Sequence, residues 1–173
     1  MRLSRISIGV PLLLFLLANG DQSAFDRTLV ALAAGAAVNN GHGHRLRDAG
    51  LTLLINGAKP IEGEDLGKKW SKGTARVLYR DRALGPGYRA VSLNAGSVAQ
   101  FEQVFFAGQR AQVALVPLAN VTFRLDVTDD QGVPQCSSGL ANRCAWTPIW
   151  TTRYRIAVTN KTSRAGVGYL VMQ

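Results

Sequence analysis

The stretch NVTFRLDVTDDQGVPQC, residues 120–136, decides the fold. Val121, Phe123, Leu125 and Val127 alternate with Asn120, Thr122, Arg124, Asp126 and Thr128. That period of two belongs to a strand with one face on a core and the other in water. Three aspartates then crowd against a glycine, which raises a calcium loop, a catalytic acid pair or a turn as readings. Counted from Asp126, Gln131 stands where an EF-hand loop needs glycine, and Ser137 where it needs glutamate. Asp129, Asp130 and Gly132 instead have the chemistry of a turn between two strands.

Working outward, the same alternation recurs in TARVLYR (74–80), with Ala75, Val77 and Tyr79 on one face, and in RYRIAVT (153–159), with Tyr154, Ile156 and Val158. Further strands are expected at 88–94, 98–106, 110–117 and 166–172, with breaks at LGPG, NAG, AGQ and SRAG. No helical segment separates these strands, so parallel βαβ units are excluded. Seven or so short strands at this spacing predict an antiparallel β-sandwich.

Before the strands the period is helical. Ser23 and Asp26 form a start like a capping box, and Phe25, Leu29, Leu32, Ala33 and Ala36 recur at helical spacing until NNG at 39–41. A second helix is expected from about Arg45 to Ile55, with Leu46, Ala49, Leu53 and Leu54 on one side. The segment IEGEDLGKKW has no clear period. The expected organisation is therefore a leader over 1–20, a helical hairpin over 21–60, a linker over 61–72 and a mainly β sandwich over 73–173.

The leader follows from MRLSR, an apolar run at 6–18 interrupted by Pro11, and the small residues of ANG at 18–20. Cleavage before Asp21 is expected, with a secreted or periplasmic product. The apolar run is shorter than the roughly 20 residues of a spanning helix; retention as an uncleaved anchor is the alternative. Composition is that of a globular domain, 47% hydrophobic and 18% charged over 173 residues. Loss of Arg2 and Arg5 takes the formal charge from +9 to +7. A basic exported chain suits anionic partners such as phospholipid headgroups, lipopolysaccharide or acidic glycans, with peripheral contact at a membrane surface, and argues against nucleic acid.

Cys136 and Cys144 are the two cysteines. An oxidising compartment predicts a bridge between them. Closing so short a loop is worth about 2.5 kcal/mol, enough to staple one hairpin.

SVAQFEQVFFAGQRAQVAL (97–115), FRLDVTDDQG (123–132) and RYRIAVTN (153–160) followed by GVGYLVM (166–172) carry a resemblance. From about Gly96 onward, somewhat under half of its length, the chain resembles the bacterial pre-peptidase C-terminal (PPC) domain. The first segment is similar to that family's strand, AGQ turn and strand; the second to its central strand and Asp-rich turn; the third to its closing pair. CAWTPIWTTRYRIAVTN (144–160) is similar to a variant of exported proteins from environmental bacteria, in which W-T-P-x-W leads into the penultimate strand. The resemblance implies a jelly-roll-like β-sandwich, non-catalytic and usually an accessory to a secreted hydrolase. With no catalytic domain in this sequence, it implies a module that acts alone or through a partner.

Two surfaces stand out as candidate sites. The run GKKWSKGTARVLYRDR (67–82) interleaves Lys68, Lys69, Lys72, Arg76, Arg80 and Arg82 with Trp70 and Tyr79. It suits an anionic envelope component, with aromatic faces for stacking, or a solvated strand edge whose charges discourage aggregation. Trp146 and Trp150 form a secondary candidate surface, or pack at the rim of the core. His42 and His44, with Asp48 as third ligand, make an H-x-H pair in a Gly-rich loop too loose for zinc. Neither metal nor cofactor is expected. G-x-S-x-G, H-E-x-x-H and S-x-x-K are absent, so no catalytic residue is assigned. The sequons at Asn120 and Asn160 carry little meaning in a bacterial protein. The reading is an exported, non-catalytic binding module, contacting an envelope component or a protein partner. A structural or assembly subunit of an exported complex is the alternative, followed by a small secreted hydrolase.

Overall fold

The computed structural model describes residues 23–38, 43–72, 85–138 and 142–173. The expected leader, His42, Arg76 and the strand expected at 74–80 lie outside the described residues.

The helices form as their ends dictate. Helix α1 spans Ala24–Ala36. The Ser23 hydroxyl accepts from the Asp26 N–H at 3.1 Å and donates to the Asp26 carboxylate at 2.5 Å, satisfying one of the free N–H groups of the first turn. Helix α2 spans Gly43–Ile55 and buries Ala49, Gly50, Leu53 and Leu54. His44 thus lies in its first turn, exposed, and not in a loop.

The expected linker is partly helical. Helix α3 spans Leu66–Ser71, opened by the Asp65 carboxylate on the Lys68 N–H and closed by Lys72 in the left-handed conformation at φ 54°. Six residues are too few to display a period, which is why the sequence pattern missed it. The buried stripe of α1 also differs from expectation. It runs through Phe25, Thr28, Ala31, Leu32 and Gly35, while Ala33 faces solvent.

Among the described residues there are nine strands: β1 (Lys59–Pro60), β2 (Gly87–Leu93), β3 (Val98–Phe105), β4 (Ala111–Leu118), β5 (Phe123–Thr128), β6 (Pro134–Ser138), β7 (Arg143–Trp146), β8 (Thr152–Asn160) and β9 (Gly166–Met172). They form a five-stranded sheet in the order β1-β2-β9-β4-β7 and a four-stranded sheet in the order β3-β8-β5-β6. Antiparallel pairing joins β2 to β9, β3 to β8, β4 to β7 and β5 to β6. Each pair nests inside the previous one, so the chain is a long antiparallel ribbon rolled on itself. That is the jelly roll, with the short parallel strand β1 added beside β2.

Two cores result. Between the sheets lie Val113, Leu125, Val127, Ile156, Val158 and Leu170, all buried. A second core joins the helices to the outer face of the larger sheet, where Tyr88, Ala114, Val116 and Val171 meet Phe25, Leu32, Leu53 and Trp70. Strands β5 and β8 keep the expected alternation. Strand β4 does not: its first six residues are all buried, because the helices cover the face that would otherwise meet water.

Cys136 and Cys144 are bridged, with Cα atoms 6.1 Å apart. Cys136 lies on β6 at the edge of one sheet and Cys144 on β7 at the edge of the other. The bridge therefore clamps the two sheets together, in place of the single-hairpin staple expected from loop length. Asn160 is buried on β8. Its amide donates to the carbonyls of Leu93, Asn94 and Arg164 at 2.8–3.2 Å, and its oxygen accepts from the Thr162 N–H and hydroxyl at 2.9 and 2.6 Å. This sequon asparagine is a structural hub. Among the described residues no helix is long and apolar enough to cross a membrane.

Candidate functional site

One end of the sandwich gathers three connections: residues 106–110 between β3 and β4, 129–133 between β5 and β6, and 147–151 between β7 and β8. The pairing places them together, since Phe105 is registered with Thr152, Thr128 with Arg155 and Ala111 with Trp146.

The Asp-rich turn closes on itself. The Asp129 carboxylate accepts from the N–H groups of Gln131 and Val133 at 3.0 and 2.8 Å and from the Gln135 amide at 3.2 Å. Gly132 takes the positive φ of 81° that the turn requires. Asp130 instead reaches across to β8, where the Thr152 hydroxyl donates to it at 2.8 Å. These carboxylates serve the turn and its anchorage, as expected of a turn between strands. Two more bonds tie the neighbouring loops: the Ala107 N–H to the Thr151 hydroxyl at 3.0 Å, and the Gly108 N–H to the Pro148 carbonyl at 2.9 Å.

On this hydrogen-bonded frame stand four large apolar side chains in solvent. Ile149 is 79% exposed, Trp150 76%, Phe106 58% and Val133 50%. Beneath them the indole of Trp146 is half-buried in a cluster with Phe105 and Tyr154, at ring distances of 5.0 and 5.2 Å. The two tryptophans of W-T-P-x-W thus divide: Trp146 packs and Trp150 projects. A cleft of about 630 Å³ opens beside the loops, lined by Ile61, Gln103, Val104, Phe106, Arg110 and Met172. Phe106 belongs to both the cleft and the apolar end.

The sequence reading missed Phe106, Ile149 and Val133. The available signal was chemical inconsistency, since turns are ordinarily polar and these three bulky apolar residues sit in or beside AGQ, TPIW and DQGV.

The cationic candidate divides differently. Trp70 is 8% exposed, its ring stacked into the helix layer over Gly35, so it offers no face to a ligand and is corrected to a core residue. Lys68 pairs with Asp65 at 3.4 Å and Lys69 with Glu64 at 2.6 Å. Lys72 closes α3. Arg76 lies outside the described residues. Nearby, burial pushes the Tyr88 hydroxyl up to about 12, and this hydroxyl accepts from the Leu66 N–H at 2.8 Å, tying α3 to β2. Among the described residues no three His, Cys, Asp or Glu side chains gather as metal ligands.

No family model matches the chain, and no curated protein matches it. Solved structures similar to it include PliG of Aeromonas hydrophila, a periplasmic inhibitor of g-type lysozyme, at 13% identity and TM-score 0.45, covering 67% of this chain and 94% of that one. The Yersinia pseudotuberculosis-derived mitogen is similar at 9% identity and TM-score 0.46, covering 51% and 85%. The pre-peptidase C-terminal domain of a Bacillus anthracis collagenase is similar at 5% identity and TM-score 0.39, covering 49% and 88%.

Proposed function

We propose that this chain is an exported, non-catalytic binding module that holds a protein partner by the loop end of its jelly roll. The observation that carries the reading is the group Phe106, Val133, Ile149 and Trp150, four bulky apolar side chains left in solvent on loops cross-tied by hydrogen bonds. Exposing them costs solubility, and anchoring their loops reduces the entropy lost on binding. Tryptophan is among the side chains that most often dominate a protein interface, as Trp150 would here, and Phe106 lines a cleft able to receive a partner side chain. Export is supported by the bridged cysteines and the leader pattern, and the accessory role by the PPC resemblance of the strand motifs.

A second reading has the anionic envelope held by Lys68, Lys69 and Lys72, and the formal charge of +7 that remains once Arg2 and Arg5 are lost favours it. It has less support, because acidic neighbours already pair with two of the three lysines.

Photocrosslinking in envelope fractions separates the two. A crosslinker at Trp150 or Ile149 should yield one discrete protein adduct, and one at Lys161, on the β8–β9 connection, should yield none. The Ile149→Ser/Trp150→Ala variant should lose the adduct captured from position 106 while keeping its Tm. If binding instead survives that variant, falls steeply with salt and is lost on replacing Lys68, Lys69 and Lys72 by glutamate, the partner is an anionic surface. Screening beyond about 8 Å at physiological ionic strength would explain such salt dependence.

A further inference from the structure

The four edges of the two sheets are not protected alike. Strand β2 carries β1, which Pro60 prevents from extending the ladder. Strands β6 and β7 are clamped to each other by the disulfide. Strand β3 is the edge left over: among the described residues it pairs with β8 alone, through eight consecutive registered residues without a bulge. Its sequence VAQFEQVF holds no lysine, arginine, proline or glycine, the residues that usually guard an edge. Val98 is 54% exposed and Val104 40%.

The strand is self-complementary. Val98, Gln100, Glu102 and Val104 are exposed on its outer side, while Ala99, Phe101 and Gln103 are half-buried. An antiparallel copy related by a two-fold axis at Phe101 sets Val98 opposite Val104 and Gln100 opposite Glu102, each twice. The apolar pair and the amide–carboxylate pair are both favourable cross-strand neighbours. Arg153 engages one oxygen of Glu102, at 3.1 Å, leaving the other for the facing amide. Moving the axis to Glu102 sets two carboxylates against each other, and a shift by an odd number of residues sets outer side chains beside inner ones.

We propose that β3 is a homodimerisation edge, joining two copies of this chain into one continuous eight-stranded antiparallel sheet with its two-fold axis at Phe101. The inference does not depend on what the loop end binds. A single edge pairing is smaller than the roughly 1,600 Å² of a standard interface, so the dimer is weak and dissociates on dilution.

Sedimentation velocity of the intact mature chain across a concentration series should show a reversible monomer–dimer equilibrium. Gln100→Glu places like charges opposite each other twice and should weaken the dimer by on the order of tenfold. Gln100→Glu/Glu102→Gln restores the native pairing in reversed order and should recover it. Both substitutions are on the surface, and an unchanged Tm confirms the fold. An equimolar mixture of Gln100→Cys and Glu102→Cys chains should oxidise chiefly to the mixed disulfide, because directly paired strand positions meet the geometry of the bond. A monomer at every concentration overturns the proposal. A dimer indifferent to Gln100→Glu overturns it equally.

Discussion

Gly35 of α1 lies directly against the indole of Trp70 from α3, so close that a methyl group at position 35 would overlap the ring. Gly50 of α2 meets the backbone of residues 70 and 71 in the same way. The helix layer is therefore built around Trp70, whose ring is received by Gly35 and whose backbone is received by Gly50. Gly35→Ala should lower the Tm: overpacking costs about 1–3 kcal/mol, against a gain of about 1 kcal/mol in helix propensity. Trp70→Ala should cost about 3–5 kcal/mol through the cavity it leaves. Chemical denaturation measures both, and an unchanged Gly35→Ala would show that the ring has room to move.

The disulfide joins edges of opposite sheets, so its loss should be felt across the whole sandwich. Cys136→Ala/Cys144→Ala, or reduction of the native protein, should lower stability by about 2.5 kcal/mol on the chain-entropy estimate. Urea unfolding with and without reductant tests this. Equal loss in the fluorescence of Trp146, near the bridge, and of Trp70, in the helix layer, would show that the bridge supports the fold as one unit.

Asn160 accepts and donates at five places while fully buried. Asn160→Ala removes all five bonds, although the Asn94 carbonyl keeps the Ser97 N–H and the Arg164 carbonyl keeps the Thr162 hydroxyl, and should destabilise by about 1–3 kcal/mol, the cost of a buried polar group losing its partner. Asn120→Ala, at the other sequon, serves as the exposed control and should change the Tm little.

Two groups set the pH limits of the helix layer. Burial raises Tyr88 to about 12, so the folded state holds that proton more tightly than the unfolded chain, whose tyrosines titrate near about 10. Its contribution is complete below about pH 10 and is lost as pH rises toward 12. Asp26 is held below the usual carboxylate range by the Ser23 hydroxyl first and by Arg143 of β7, which donates to it at 2.6 Å. Its contribution is present above the unfolded carboxylate value and is lost as pH falls through the lower folded one. Tyr88→Phe should shift alkaline unfolding to higher pH, and Asp26→Asn should flatten the acid limb. Thermal melts across pH read both changes.

Strands β5 and β8, the Ser23 cap and the Asp129 turn were legible because their signals are local: an alternation, a hydroxyl three residues before an acidic side chain, a carboxylate two residues before the N–H it accepts from; β1 and β7, of two and four residues, are too short to show an alternation and were not expected. Helix α3 was not, because six residues hold less than two turns of pattern. The stripe of α1 was misjudged because counting apolar residues overlooks Thr28 and Gly35, whose burial depends on what packs against them.

By itself, then, the order of residues determined the β-rich class, the helical start and the turn chemistry, all consequences of bonds and side-chain directions within a few residues. Tertiary structure decided which strands meet. The nested pairing of β2 with β9 and of β3 with β8 joins residues 47 to 85 positions apart by backbone bonds that carry no side-chain label. It also decided the fate of each tryptophan. Trp70 went inward because Gly35 left a hollow for its ring, Trp146 settled against Phe105 and Tyr154, and Trp150 stayed in water on a connection anchored by the buried Pro148, whose carbonyl, like the Thr151 hydroxyl, bonds to the neighbouring loop.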